Sequence, residues 1–291
     1  MGGSIPETAL LQAMLARRSV RRYSREPLDD ATLVKVREIA ASPKPLIPDN
    51  RLEVGMRDDV VRRDLVVLLG AYGRLITPPH ALVPHICGAS HPLVDLGYRV
   101  EQMVVRMTAL GVGTCYVGTL PREEQARTTL GIPADARIGA LLVFGRASQT
   151  AGGRAINSLV RSAAGGGREP DLARWFFRKS FDNPSPPPDS LRPFILAAAC
   201  APSACNAQPW RFLWQGDRLW LFVTRNNPKY RGAHSEQYCL YDGGIAMANV
   251  SLAMEALGIT GAWQLVEAND AAVPAHPANL HPVARLSIAG H

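Results

Sequence analysis

A chain of 291 residues, 47% apolar and 20% charged, is long enough to bury a sizeable core and too apolar to stay disordered. Its longest apolar runs, such as 193–201, fall well short of the roughly 18 residues a membrane span needs, and the N-terminal stretch lacks the order of basic, apolar and small residues that marks a signal peptide, so a cytoplasmic protein with no membrane partner is expected. A formal charge of +7 invites a nucleic-acid reading, but aromatic residues are only 7% and are not interleaved with the basic clusters, which favours solvated arginine-rich faces and an anion site for a phosphate-bearing cofactor, with no nucleic acid as partner.

In chain order, a first helix leads into Arg17-Arg18-Ser19-Val20-Arg21, with Arg22 beside it. Guanidiniums make forked, charge-assisted bonds to phosphate, and a serine hydroxyl can bond a phosphate or sugar oxygen. The same basic residues would also suit the negative end of the helix dipole. A Pro/Asp turn follows, then a helix over 29–42 with Asp29 as its N-cap. Strand-like runs come next at 63–70 and 81–88. Residues 95–110 are apolar nearly all round, the pattern of a helix buried on most of its faces. Gly111–Gly118 contains G-x-G but follows a helix and lacks the third glycine of a dinucleotide fingerprint. A turn there, with Gly113 and Thr114, would end the helix and let backbone approach a flat ligand; a plain glycine cap is the alternative. A strand closes the first half at Gly145, and 151–167, rich in glycine and small residues, reads as a linker.

The second half repeats the first. Asp95 and Asp242 are 147 positions apart, as are Leu110-Gly111 and Leu257-Gly258. Residues 15–30 resemble 175–190, 37–45 resemble 196–204, and the closing strand before Gly145 resembles the one before Gly290. Four blocks in one order argue for two copies of one unit, over 1–150 and 168–291, and two long repeats suit a fused dimer better than a solenoid. The expected fold is α+β, an intramolecular pseudodimer around two long central helices, monomeric or a higher oligomer.

In the second copy, Pro202 and Pro209 bracket a turn that presents Ser203, Asn206 and Gln208. Amides pair well with a heterocycle edge that offers both donors and acceptors, although an ordinary helix-to-strand turn with Asn as a cap would look the same. Trp210 and Phe212 would anchor strands at 211–215 and 218–224, ahead of a long helix at 242–257. The odd set Cys87, Cys115, Cys200, Cys205 and Cys239 has no C-x-x-C, no His at zinc spacing and no paired carboxylates beside it, so no metal is expected and the thiols are read as reduced. With no nucleophile or general base in view, no catalytic residue is assigned; redox chemistry carried by a cofactor fits that absence.

Taken together, "RRSVRRYS", "PSACNAQPWRF" and the block from Asp95 through Gly118 and on to Gly145 resemble the FMN-dependent nitroreductase family over nearly the whole chain. The resemblance implies a nitroreductase-like fold, FMN as cofactor and NADH or NADPH as electron donor. It implies a small acceptor such as a nitroaromatic or quinone, reduced by ping-pong hydride transfer. It also implies a cofactor-binding set of Arg17, Arg18, Ser19, Arg21, Gly113, Thr114, Arg146, Pro202, Ser203, Asn206 and Gln208, with Arg154 able to share the role of Arg146. Family members are dimers whose sites take the Arg-x-Ser element from one subunit and the Pro-Ser-x-x-Asn element from the other. Here the first copy has "SPKPLIPDN" in place of the second motif, and the second copy has the weaker Arg178-Lys179-Ser180, so one FMN per chain is expected. A flavin store or a biosynthetic FMN dehydrogenase is the alternative within this reading, and a basic nucleic-acid-binding protein the alternative outside it.

Overall fold

The computed structural model describes residues 7–57, 76, 78–150, 170–230, 232–267 and 270–289. Its elements are α1 (Glu7–Ala16), α2 (Asp30–Ala41), β1 (Arg51–Met56), β2 (His80–Cys87), α3 (Pro92–Ala109), β3 (Gly113–Gly118), α4 (Glu123–Leu130), β4 (Ala140–Gly145), β5 (Phe176–Arg178), α5 (Arg192–Ala199), β6 (Trp210–Gln215), β7 (Arg218–Thr224), α6 (Ser235–Ala256), β8 (Gly261–Leu265) and β9 (Leu280–Ile288). Chain contacts divide it into two compact units, Ala16–Arg168 and Met1–Leu15 with Glu169–His291. All of α1 but its last residue therefore groups with the second half, where the sequence suggested the first. The expected strand at 63–70 and the expected linker at 151–167 lie outside the described residues. Among those described, no helix is long and apolar enough to cross a membrane.

In the first unit an antiparallel sheet of order β1-β2-β4-β3 packs between helices. One face meets α3, which lies on β2 and β3, and α2 packs on α3 and β1. On the other face Ala126 and Leu130 of α4 pack with Ala81, Val83, Cys115, Val117, Leu141 and Val143. Alternate strand residues thus serve opposite faces, as the pleat demands. Asp29 caps α2 as expected, accepting from the Thr32 N–H at 2.9 Å. The apolar run read at 95–110 is α3, buried along almost its whole length, polar residues included.

The second unit holds a five-stranded sheet, β5-β6-β7-β9-β8, antiparallel except for β5 beside β6. Without β5, its order is that of the first sheet: first, second, fourth and third strand. Two copies of one unit would produce that shared order. Trp210 and Phe212 are fully buried in β6, as expected. The helix read at 242–257 begins seven residues earlier, at Ser235, and packs on α5, β6 and β7. The basic tripeptide of this half departs from expectation. A short 3-10 turn at Leu172–Arg174 precedes it, and Arg178 ends β5 at the β6 edge of the sheet.

Each long helix carries a buried carboxylate that ties down the segment after an earlier helix. Asp95 accepts from the Leu46 N–H at 2.9 Å and from Asn50 Nδ2 at 3.1 Å. Asp242 accepts from the Ala204 N–H at 2.9 Å. The same spacing links Gln102, whose Nε2 donates to the Lys44 carbonyl, with Asn249, whose Nδ2 donates to the Ala197 carbonyl. Asp95 is also ion-paired with Arg99 at 2.8 Å, one turn on, and that guanidinium donates to the Ile47 and Asn50 carbonyls. Arg99→Met should destabilise the fold by about 3–5 kcal/mol, because it leaves a buried carboxylate without its cation. Urea unfolding checks this; a loss below about 1 kcal/mol would show that the pair is not needed.

Candidate functional site

The basic element is neither helix nor turn. The chain leaves α1 at Ala16, and Ser19–Tyr23 runs extended along the first sheet. Ser19 bridges Thr114 in parallel, and the Val20 N–H donates to the Thr114 carbonyl at 2.8 Å. Further on, Tyr23 bridges Ala147, the Ser24 N–H donates to the Arg146 carbonyl and the Ser148 N–H to that of Arg22. The Tyr23 hydroxyl, buried, reaches the Val143 carbonyl at 3.3 Å. An edge strand offers unpaired N–H and C=O groups, and here the Arg-Ser segment takes up those of β3.

This contact explains the glycines read as a turn. Gly111, at a φ of 76°, ends α3 in the left-handed region. From Gly113 onward the chain is strand β3, not turn. A side chain at Gly113 would put its Cβ 2.8 Å from Val20 Cγ2 and 3.2 Å from the Gly145 carbonyl oxygen. Glycine is needed so that the basic segment can lie close to the strand.

Around this seam stand the expected cations. Arg17 and Arg21 both lie near enough to the buried Cys115 thiol to pull its pKa down, although burial dominates and pushes it up. The Nε of Arg17 is buried with no hydrogen-bond partner among the described residues. A buried cationic donor without an acceptor is costly, and an anion would relieve that cost. Arg18 is exposed and caps the Arg17 carbonyl at 2.6 Å. Arg21 Nη1 makes a long 3.5 Å contact to the Ser19 carbonyl. Arg146 is turned to Asp29, 2.8 Å away and exposed, so its charge serves the α2 cap. Arg154 lies outside the described residues.

In the second unit, Pro202–Pro209 forms a turn with three positive φ angles, 52° at Cys205, 50° at Asn206 and 49° at Gln208. Left-handed backbone costs a non-glycine residue roughly 1–2 kcal/mol, so the turn must be held from outside itself. Two expected ligand-binding side chains do part of the holding. Ser203 Oγ accepts from the Gln208 N–H at 2.9 Å, and Gln208 Nε2 donates to the Ala199 carbonyl at 2.9 Å. Lys229 Nζ donates to the Asn206 carbonyl at 2.9 Å. The Ala204 N–H reaches Asp242, whose carboxylate also accepts from the Tyr230 hydroxyl at 2.6 Å. The sequence marked Asp242 only as a sign of repetition. Its role as anchor, and that of Tyr230, went unread because neither falls within the motif it supports. In the first unit the matching segment 42–50 contains no positive φ.

The structure therefore assembles Arg17, Ser19, Arg21, Gly113 and Thr114 on one sheet edge, and Pro202, Ser203, Asn206 and Gln208 on one turn. A cavity of about 660 Å³ beside Arg225, Glu267, Asp270 and His276 includes none of them, so its size does not make it the site. Among the described residues no cluster of His, Cys, Asp or Glu is placed to hold a metal ion.

Residues 9–254 match the protein family described as Putative TM nitroreductase. The chain belongs to that family. A crystal structure described as a putative nitroreductase from Thermotoga maritima is similar over 95% of this chain and 92% of its own, with a TM-score of 0.56 and 16% identity, a likeness of fold. Nitroreductase A from Vibrio parahaemolyticus is similar over 49% of this chain and 69% of its own, at 19% identity and a TM-score of 0.44. The NADPH:FMN oxidoreductase from Vibrio harveyi, complexed with NAD+, covers 48% of this chain and 70% of its own, at 18% identity and a TM-score of 0.43. No curated protein matches the chain by sequence. The α+β fold of this nitroreductase-family protein thus has a whole-length counterpart.

The Gly113 contact gives a direct check on the seam. Gly113→Ala should destabilise the first unit by about 1–3 kcal/mol through overpacking against Val20, and Gly113→Ala with Val20→Ala should recover most of that loss. Thermal unfolding of the two variants measures it; an additive double variant would sink the explanation.

Proposed function

We propose that this nitroreductase-family protein is an FMN-dependent oxidoreductase, with one FMN per chain, that reduces a small acceptor at the expense of NADH or NADPH. The observation that carries the reading is the seam of Ser19–Val20 on Thr114, which sets Arg17 and Arg21 beside β3 with the buried Arg17 Nε without an acceptor among the described residues. That donor set suits a phosphate monoester. Arg17 and Arg21 would hold its charge, Ser19 would bond an oxygen, and the glycine at 113 allows the segment to lie flat on the strand. The turn amides of Asn206 and Gln208 have the mixed donor and acceptor character that a flavin ring edge requires. FMN would supply the two-electron chemistry, accepting hydride from the nicotinamide and passing electrons to a nitroaromatic or quinone. The chain's own contribution is to bind and orient.

One FMN per chain is supported by what the other halves of the two motifs do. Segment 42–50 has no strained turn, and Arg178 sits in β5 at the β6 edge rather than beside β8. Family membership supports the reductase class of reaction.

Arg17→Ala should weaken FMN binding tenfold to a hundredfold, since bonds to charged groups contribute roughly 1.5–3 kcal/mol. Arg178→Ala should change it less than about twofold, because an exposed charge away from a site alters binding little. Flavin-fluorescence titration of both variants decides, and equal losses would end the one-site reading. Flavin released by denaturing the purified, FMN-reconstituted protein should count one per chain. A count of two would remove the single site, and none would remove FMN. Oxidation of NADH or NADPH in the presence of a nitroaromatic or quinone supports a reductase, whereas bound flavin without turnover would make the chain a flavin store.

A further inference from the structure

We propose that Asp242 is a positioning residue whose carboxylate, through the Ala204 N–H and the Tyr230 hydroxyl, latches the 203–208 turn in its strained form, and that uptake of a proton by this carboxylate loosens the latch. The latch itself stands on geometry within the second unit. Only its consequence for FMN rests on the function proposed above.

The turn carries three left-handed residues among four consecutive positions. Its internal bonds, from the Asn206 N–H to the Ser203 carbonyl and from the Ala207 N–H to the Ala204 carbonyl, close the loop on itself but do not tie it to the core. Gln208 Nε2, on the Ala199 carbonyl, ties the far end of the turn to α5, and the bond from the Ala204 N–H to Asp242 ties the near end to the core, because Asp242 lies on α6 with 2% of its surface exposed. The equivalent carboxylate of the first unit, Asp95, has Arg99 one turn on and holds a segment without positive φ. One turn on from Asp242 the residue is Ala246, fully buried. Asp242 therefore has two hydrogen-bond dipoles in place of a cation. Burial pushes its pKa from the ordinary 3.8 up to about 7, with the bonds from Tyr230 and Ala204 pulling the other way.

The titratable groups around it come from three elements. Tyr230 arrives from the 3-10 turn at Pro228–Tyr230, and Tyr238 and Cys239 from the preceding turn of α6. Cys205, on the latched turn, acts on both tyrosines. Burial raises Tyr230 and pushes Tyr238 and Cys239 up to about 12, so these three stay neutral while Asp242 titrates. Of the charged groups, Lys229 donates to the Asn206 carbonyl of the turn, and Glu236, which acts on Cys239, is paired with Arg225.

The sign follows from linkage. An ionised acceptor makes the stronger bond, so the turn is tight above about pH 7 and loosens as pH falls through that value. Global stability runs the opposite way. A carboxyl raised on folding contributes stability that is fully present below the ordinary 3.8 and is lost as pH rises through about 7. A residue that merely supported the fold would move the two together.

Amide hydrogen exchange on the purified full-length protein reads the latch, with protection corrected for the intrinsic exchange rate at each pH. Protection at Ala204 should fall about tenfold between pH 8.5 and pH 5.5, the difference between a charged and a neutral acceptor. Asp242→Asn should give low, flat protection. Tyr230→Phe serves if that variant does not fold; loss of the hydroxyl that pulls the carboxyl down should shift the midpoint upward. A wild-type profile as flat as that of Asp242→Asn, or a midpoint unmoved by Tyr230→Phe, overturns the latch. FMN affinity should fall with Ala204 protection as the solution is acidified. If protection changes while FMN affinity stays constant, the latch holds and the assignment of the turn to flavin fails.

Discussion

The buried carboxylate on each long helix is the constraint from which the rest of each unit follows. A helix that is covered on nearly every face can carry a charged side chain only if that charge is compensated inside the protein. Both units meet the requirement by turning the carboxylate toward the segment that follows an earlier helix, so that backbone N–H groups of that segment become its partners. The same bond then does two things. It makes the helix tolerable as a core element, and it fixes where the connecting chain must run. The units part at the second partner. An arginine completes the compensation in the first, and the segment there relaxes into ordinary backbone. A tyrosine does so in the second, and the segment is strained. Strain that persists only because its surroundings over-determine it is found where function needs a fixed geometry.

Much of this was legible in the chain itself. The long helices announced themselves because their apolar residues fall on most faces of the helical period, polar ones being interspersed among them, a pattern that no half-exposed helix shows. Asp29 was a readable cap, since an acidic residue two positions past a proline and ahead of a helical period has few other uses. Trp210 and Phe212 flank a half-buried Arg211, and β6 buries both. The order of motifs pointed to the nitroreductase family, to which the chain belongs.

What escaped reading has tertiary causes. Residues 111–118 look like a turn because glycines bound them, yet those at 111 and 113 answer to different demands: the first to a left-handed φ, the second to the side chain of Val20, ninety-three positions away in sequence. The basic segment at 17–22 has no strand propensity to speak of and becomes extended only because β3 has an edge to offer. Arg178-Lys179-Ser180 matches Arg17-Arg18-Ser19 within the blocks 175–190 and 15–30, but a short basic tripeptide carries too little information to fix a place in a sheet; the structure puts the two at opposite edges of their sheets. Ser203 and Gln208 read as facing a ligand, whereas the Ser203 side chain closes the turn from within and that of Gln208 ties it to the Ala199 carbonyl of α5.

The grouping of Met1–Leu15 with Glu169–His291 sets an order of events during synthesis. The first unit is one continuous stretch and is complete once residue 168 has left the ribosome. The second is discontinuous, with its earliest piece made first and its last strand made last. Its opening helix of ten residues is too short to hold itself together in water. That helix, with buried Leu10 and Met14, must stay unengaged while about half the chain is translated. Newly made chains thus pass through an interval in which one unit is folded and an apolar segment that precedes it in the chain is bare, the condition in which a nascent protein draws chaperones.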